Sequence, residues 1–470
     1  VRFVYRLFSA GLLLAFTAAV CAQSFDAKHL AAAAELRDRA LADATAYEVV
    51  SRLTTEIGPR AAGTPQDMAA VEWAAQTLKQ LGFANVRTMD VYVPRWVRGE
   101  ARFEVLAPFA QTMPTLALGG SVGTAENGLR ASAVMVKDLD ALQALPAGAV
   151  TGRIVFFNLR TERARDGSGY SKAVRARAQG PAAGGRLGAA GVVIRSIGTS
   201  NDRFPHTGTT NYSIDSPRIP AVAISNPDAD ALERQFAAGK EVVVSMTVTA
   251  RDLPQVRSAN VIGELPGTDP NAEIVLLGAH LDSWDPGTGA LDDAAGVGIV
   301  VGAAKLIREL KAKPRRTIRV VLFANEEFGL SGSLGYAAQI GEEFARHAIG
   351  LEADFGAGPV YALHSRVPEE HLDAVGAIHA VIADLNVERG GNEAQGGADL
   401  SPLRRQGMPL LGPALDGTYY FDVHHTANDT LDKVNRVHLR QSVAVYAVSA
   451  YLAAQYPRSW GRNVVTPPPQ

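Results

Sequence analysis

An α/β fold, built on a mostly parallel mixed sheet flanked by helices and interrupted by an inserted mostly β block, is what three features of the sequence predict. From "SANVIGELPG" onward strand-like and helix-like segments alternate; residues 106–253 break into short β runs; and the chain opens helix, helix, strand. Alternation of that kind argues a parallel sheet with helices on both faces. A chain of 470 residues exceeds one small core, so two domains are expected, with residues 24–105 and 254–460 forming one and 106–253 the other.

The first segment, "VRFVYRLFSAGLLLAFTAAVCAQ", carries Arg2 and Arg6, an apolar run from Leu7 to Val20, and small residues before Gln23. Residues 1–22 therefore read as a secretory signal peptide, which predicts a secreted or periplasmic protein. The run is shorter than the roughly 20 apolar residues that a spanning helix needs, and no membrane span is expected in the mature chain. Cys21 is the sole cysteine, so the mature protein has neither disulfide nor thiolate, and any metal site must use His, Asp and Glu. A formal charge of −2 with no Lys/Arg stripe argues against nucleic acid as a partner.

An Ala-rich amphipathic stretch comes next, followed by "YEVVSRLTTEIGPR", in which Val49, Val50, Leu53 and Ile57 recur at helical spacing. "GTPQDMAAVEWAAQTLKQLG" is a punctuated helix: Thr64 caps it, Pro65 occupies its first position and Gly82 stops it. "ANVRTMDVYVP" alternates like a strand. The block that follows offers "GRIVFFN", "GVVIRS", "IPAVAIS" and "EVVVSMTVTA" as strands, with one helix in "YSKAVRARAQGPAAGGRLGAAG". In the last part "EIVLLGAH", "TIRVVLFAN" and "AIGLEAD" are strands. "DDAAGVGIVVGAAKLIREL", "LSGSLGYAAQIG" and the closing "VNRVHLRQSVAVYAVSAYLAAQ" are helices, and "TPPPQ" is a disordered tail.

Ligands of open α/β sheets bind at the carboxyl ends of the strands. There the strands deliver His280 and Asp282, then Glu326 and Glu327, then Asp354, while Asp292 and Asp293 open the next helix and "FDVHHTANDT" adds His424, His425 and Asp429. Like charges brought together and left unpaired cost several kcal/mol each when buried. Divalent cations resolve that conflict, and carboxylates with neutral imidazole suit two zinc ions roughly 3.5–4 Å apart. Water held between such ions ionises near neutral pH and needs a carboxylate to take its proton, so in "EE" one glutamate is free to bind metal and the other to act as base.

His-x-Asp, Gly-Ala-x-Asp-Asp-x-x-Gly, Glu-Glu-x-Gly-x-x-Gly-Ser, Asp, and His-Thr-x-x-Asp-Thr, in that order, resemble the M28 family of zinc peptidases, most closely its plasma glutamate carboxypeptidase branch. The resemblance implies a zinc exopeptidase fold with the inserted block as a protease-associated domain. It implies His280, Asp292, Glu327, Asp354 and His425 as ligands of two zinc ions, with Asp292 bridging. Glu326 would be the general base, Asp282 would orient His280, and the peptide after Asp292 would be cis. Many relatives carry tyrosine before the last histidine, where this chain has His424. The expected activity is hydrolysis of dipeptides or short peptides with a free amino terminus, as aminopeptidase or dipeptidase, and the branch implies a homodimer. Carboxypeptidase action, a one-zinc glutaminyl cyclase and a metal-free binding scaffold are the alternatives; zinc stoichiometry separates the last two.

Other readings are set aside. Asp293 is expected to cap the helix after it, and Asp429 to form a local turn or cap. "GGSVG" at Gly119–Gly123 fits a nucleophile elbow, but no helix follows Ser121. His364, His371 and His379 are expected on the surface, and His206 in a loop of the inserted block.

Overall fold

The computed structural model describes residues 24–465, so the signal-like segment and the "TPPPQ" tail lie outside the described residues. The main sheet has eight strands: β1 (Ala84–Val97), β10 (Arg251–Leu265), β12 (Thr317–Phe323), β11 (Ile274–His280), β13 (His347–Glu352), β16 (Leu410–Leu415), β14 (Val360–Arg366) and β15 (Glu388–Arg389), in that spatial order. β12, β11, β13 and β16 run parallel, while β1, β10 and β14 enter antiparallel pairs. Every residue of β11 is buried, as a run of apolar residues sandwiched between two layers requires.

Helices cover both faces. On one side pack α1 (Ala27–Ala40), α2 (Thr45–Arg52), α3 (Pro65–Gln80), α7 (Ala295–Glu309), α9 (Leu372–Ile382) and α11 (Arg436–Gln455), whose inward residues, Leu36, Ile299, Ile307 and Val448 among them, form the largest core. α7 and α2 meet closely because α7 carries glycines: a Cβ on Gly298 would lie 2.7 Å from the Ala46 carbonyl oxygen. On the other side α8 (Ser331–Gln339) and α10 (Ser401–Arg405) enclose Phe323, Tyr336 and Met408. α3 begins as its sequence dictates, with the Thr64 side chain accepting the Asp67 N–H and Gly82 in the left-handed region just beyond its end.

The second sheet lies between β1 and β10 in sequence. Its strands are β2 (Ala101–Ala107), β3 (Gln111–Met113), β4 (Thr115–Ala117), β5 (Leu129–Val136), β6 (Ile154–Phe157), β7 (Gly191–Arg195), β8 (Ala221–Ile224) and β9 (Val243–Val248), in the order β3-β2-β9-β5-β6-β7-β8-β4. The chain leaves the main sheet at Val97 and returns at Arg251, and these two residues are paired partners, so the excursion hangs from one antiparallel ribbon.

This block is α/β, where a mostly β one was expected. β5 to β8 are parallel, and parallel neighbours need crossovers. α4 (Leu139–Gln143) and α5 (Ser168–Arg186) cover one face, and α6 (Asn226–Ala237) the other. The signal for α6 stood in the sequence: Ser225 caps it, accepting the Asp228 N–H, and a proline follows in its first turn. Its run "NPDADALERQFA" carries few large apolar residues, which hides its periodicity.

Candidate metal centre

The carboxyl ends of three parallel strands form the floor of a cavity of about 260 Å³ lined by Asp292, Glu326, Glu327, Asp354, His424 and His425, with Tyr170 and Arg177 of α5 on its wall. β11 ends in His280, the turn after β12 carries the two glutamates, and Asp354 follows β13. Asp292 sits at the centre: its Oδ1 is 3.1 Å from His280 Nε2 and its Oδ2 is 3.2 Å from His425 Nε2. His280 Nε2 is also 3.5 Å from Asp354 Oδ1, and His425 Nε2 is 2.9 Å from Glu327 Oε2. The five residues expected to bind metal thus converge on one point, in two groups that share Asp292. The Asp292–Asp293 peptide is cis.

Around these groups a network fixes each side chain. Asp282, 1 % exposed, accepts the backbone N–H groups of Glu326 at 2.9 Å and Glu327 at 3.4 Å, while its own carbonyl oxygen faces His280 Nδ1 at 3.1 Å. It therefore orients the glutamate turn as well as the histidine. Asp293 accepts the N–H of Gly296, capping α7, and that of His280. His424 stacks on His425 with ring centroids 3.5 Å apart, and its Nε2 lies 3.4 Å from Asp292 Oδ2. Asp292, His424 and His425 can jointly surround one ion, as can His280, Asp292 and Asp354.

The electrostatics show what this arrangement lacks. Burial opposes charge on His280, yet Asp354, Asp282 and Asp292 outweigh it and raise the imidazole well above its ordinary value. Burial, then the Asp292 charge, pushes Glu327 up to about 7, and His425 is raised to about 9 by Glu327 and Asp292 against its own burial. Burial raises Glu326 well above the carboxylate range, with Asp354, Glu327 and Asp399 adding to it and His280 opposing. Protons here occupy the role that a cation would take over, since metal binding displaces them from such ligands. Two buried oxygens, Asp292 Oδ2 and Glu327 Oε1, have no hydrogen-bond partner; the 3.2 Å approach of His425 to the former lacks hydrogen-bond geometry. Unpaired carboxylate oxygens facing imidazole nitrogens in a thiol-free pocket suit zinc or a similar divalent ion.

Several contributors escaped the sequence reading. Arg60, fully buried, donates to the carbonyl oxygens of Gly58, Leu281, Thr288 and Gly289 and so holds the loop between His280 and Asp292. Asp429 is not a local cap: it accepts the N–H groups of Leu291 at 2.7 Å and Asp292 at 3.2 Å across the site. Tyr170 and Arg177 of the second sheet's helix were also missed, because nothing in "YSKAVRARAQ" marks one arginine for burial. His371 is buried where the surface was expected, its Nδ1 2.9 Å from the Tyr456 hydroxyl, because the turn before α9 packs on the end of α11. His364 and His379 are partly exposed. His206 is buried behind the cavity wall, where burial pushes its imidazole down to about 3. Ser121 is buried and accepts the Ala221 N–H, a structural role.

Residues 260–450 match the model of Peptidase family M28. Carboxypeptidase Q of Mus musculus is 31% identical over 408 residues, covering 87% of this chain and 85% of its own. Among solved structures, a peptidase M28 precursor from Shewanella amazonensis SB2B is 45% identical with a TM-score of 0.91, covering 94% of this chain and 99% of that one. BSAP, a zinc aminopeptidase from Bacillus subtilis, shares the fold at 21% identity with a TM-score of 0.62, covering 88% of this chain and 97% of its own.

Proposed function

The chain belongs to peptidase family M28 and is a metallopeptidase, and from that premise we propose that it is a two-zinc exopeptidase hydrolysing dipeptides or short peptides with a free amino terminus. The observation that carries this reading is Asp292 shared between two histidine–carboxylate groups. His280 and Asp354 would hold one ion and Glu327 and His425 the other, with Asp292 available to both. Bound zinc supplies Lewis acidity toward a carbonyl oxygen and toward water.

The protein's own groups do the rest. Glu326 lines the cavity without being tied to a histidine, unlike Glu327, so its carboxylate is free to take a proton from the attacking water and return it to the leaving amine. Asp282 positions Glu326 by accepting its backbone N–H. The Tyr170 hydroxyl oxygen accepts from Arg177 Nη2 at 2.8 Å, which leaves its proton directed elsewhere. We assign Tyr170 as the donor to the developing oxyanion, in the role that a tyrosine at position 424 would have filled. The second sheet, read as a protease-associated-like domain over residues 106–253, contributes this wall and restricts the length of peptide admitted. The amino-terminal segment supports a secreted or periplasmic location.

A panel of dipeptides and longer peptides with free and blocked termini, run with measured zinc content, tests the proposal. Two zinc ions per chain and cleavage requiring a free amino terminus are expected. Full activity on amino-blocked peptides, or in the zinc-free protein, would overturn it.

A further inference from the structure

The geometry points to unequal construction of the two metal positions: the one at Glu327 and His425 is held in place by the second sheet, with Arg177 and Thr209 as its positioning residues. This inference rests on the two-zinc reading above and adds a dependence which that reading does not contain.

His425 has a φ of 62°, left-handed backbone that a non-glycine residue adopts at a cost. Such a conformation persists where surrounding structure over-determines it. Here the second sheet supplies that constraint from both sides of the residue. The Thr207 N–H donates to the His425 carbonyl oxygen at 3.1 Å, and the Thr207 carbonyl oxygen lies 3.2 Å from His425 Nδ1. These contacts fix the orientation of the ring and turn its Nε2 toward Asp292 and Glu327.

The Thr207 carbonyl is itself pinned. Arg177 Nη1 donates to it at 3.2 Å while Nη2 holds the Tyr170 hydroxyl. Arg177 is only 6 % exposed, and its Nη1 also lies 3.4 Å from His425 Nδ1. Thr209, two positions after Thr207, donates its hydroxyl to the main-chain oxygen of Glu327. One residue of α5 and two of the loop after β7 therefore meet both ligands of one metal position.

Nothing comparable reaches the other position. The His280 N–H donates to Asp293 Oδ2 at 3.1 Å and its Nδ1 faces the Asp282 carbonyl oxygen, both within the main-sheet layer. Among the described residues, no hydrogen bond runs from the second sheet to His280 or Asp354. The His280/Asp354 position is complete within one layer; the Glu327/His425 position is completed across two. Zinc thus fills the former first, and affinity at the latter reports whether the second sheet is docked.

The test titrates zinc-free wild type, Arg177→Met and Thr209→Val with Zn²⁺ against a chromophoric chelator. Wild type takes up two ions. Each variant keeps one ion at wild-type affinity and binds the other about 10–100-fold more weakly, the usual cost of losing a partner behind a ligand. Thr209→Ser, which keeps the hydroxyl, restores both. Should Arg177→Met fail to fold, the near-isosteric Thr209→Val carries the test alone. Unchanged affinity for both ions in the folded variants, or equal weakening of both, overturns the inference and leaves the two-zinc reading standing; fewer than two ions in wild type overturns that reading itself.

Discussion

Asp429 accepts the backbone N–H of Asp292 at 3.2 Å, although 137 positions separate them. The same carboxylate takes the Leu291 N–H on its other oxygen, so one side chain holds the main chain on which the shared ligand stands. Removing it strands two buried donors, each worth about 1–3 kcal/mol. Asp429→Ala is expected to lose roughly 2–4 kcal/mol in urea unfolding and to lower zinc content on dialysis. Asp429→Asn keeps one acceptor oxygen and should lose about half as much.

Arg60 ties the two ends of that loop together, donating to the carbonyl oxygens of Leu281, Thr288 and Gly289 and to that of Gly58 in its own segment. Arg60→Met is expected to destabilise the zinc-free protein by about 3–5 kcal/mol, since buried acceptors lose a charged donor. Arg60→Lys should recover little, because one ammonium cannot span the fork of a guanidinium. Equilibrium unfolding of both variants checks this; stability near wild type in Arg60→Lys would deny the geometric argument.

Glu326→Gln removes the proposed proton carrier and leaves a side chain of the same shape. Turnover is expected to fall about 10²–10⁴-fold, with zinc stoichiometry and KM close to wild type. Retained turnover would assign the base to another group.

Tyr170→Phe deletes one hydroxyl from the cavity wall. A loss of about 10²-fold in kcat with a small change in KM is expected for an oxyanion donor. A change confined to KM would make Tyr170 a substrate contact instead.

His347 lies far from the metal centre, its Nε2 2.8 Å from the Tyr336 hydroxyl and its Nδ1 donating to the Glu343 carbonyl oxygen. Burial, followed by the Arg319 charge, pushes its imidazole down to about 4. The neutral form is the one the fold accommodates, so this contribution is fully present above the ordinary histidine value near 6.5 and is lost as pH falls toward 4. Between pH 7 and pH 5 it amounts to about 2 kcal/mol. Wild type should lose that much more stability than His347→Gln over the same interval in denaturant unfolding; parallel losses would show that His347 takes up its proton equally in the folded and unfolded states.

Much of the main sheet was legible in advance. The buried run of β11, the cap and stop of α3 and the order of the last strands are local patterns, and local patterns follow from a few neighbouring residues. The ligand candidates were legible for a related reason: strand ends expose their next residues at one edge, so His280, Glu327 and Asp354 had to be near one another once the strands were parallel. The two-faced cover of the second sheet was harder, because α6 is short in large apolar residues and its inward side is formed by Ala229 and Leu232.

By itself, then, the sequence determined which residue types reach the sheet edge, and the resemblance of its motifs to family M28 singled out His280, Asp292, Glu326, Glu327, Asp354 and His425 among them. Only the tertiary structure decided what holds them there. Arg60, Asp429, Thr207 and Arg177 act through hydrogen bonds to main-chain atoms far away in sequence. A carbonyl or amide presents the same face whatever its side chain, so such partnerships leave no pattern of residue types, and folding alone brings the two ends together.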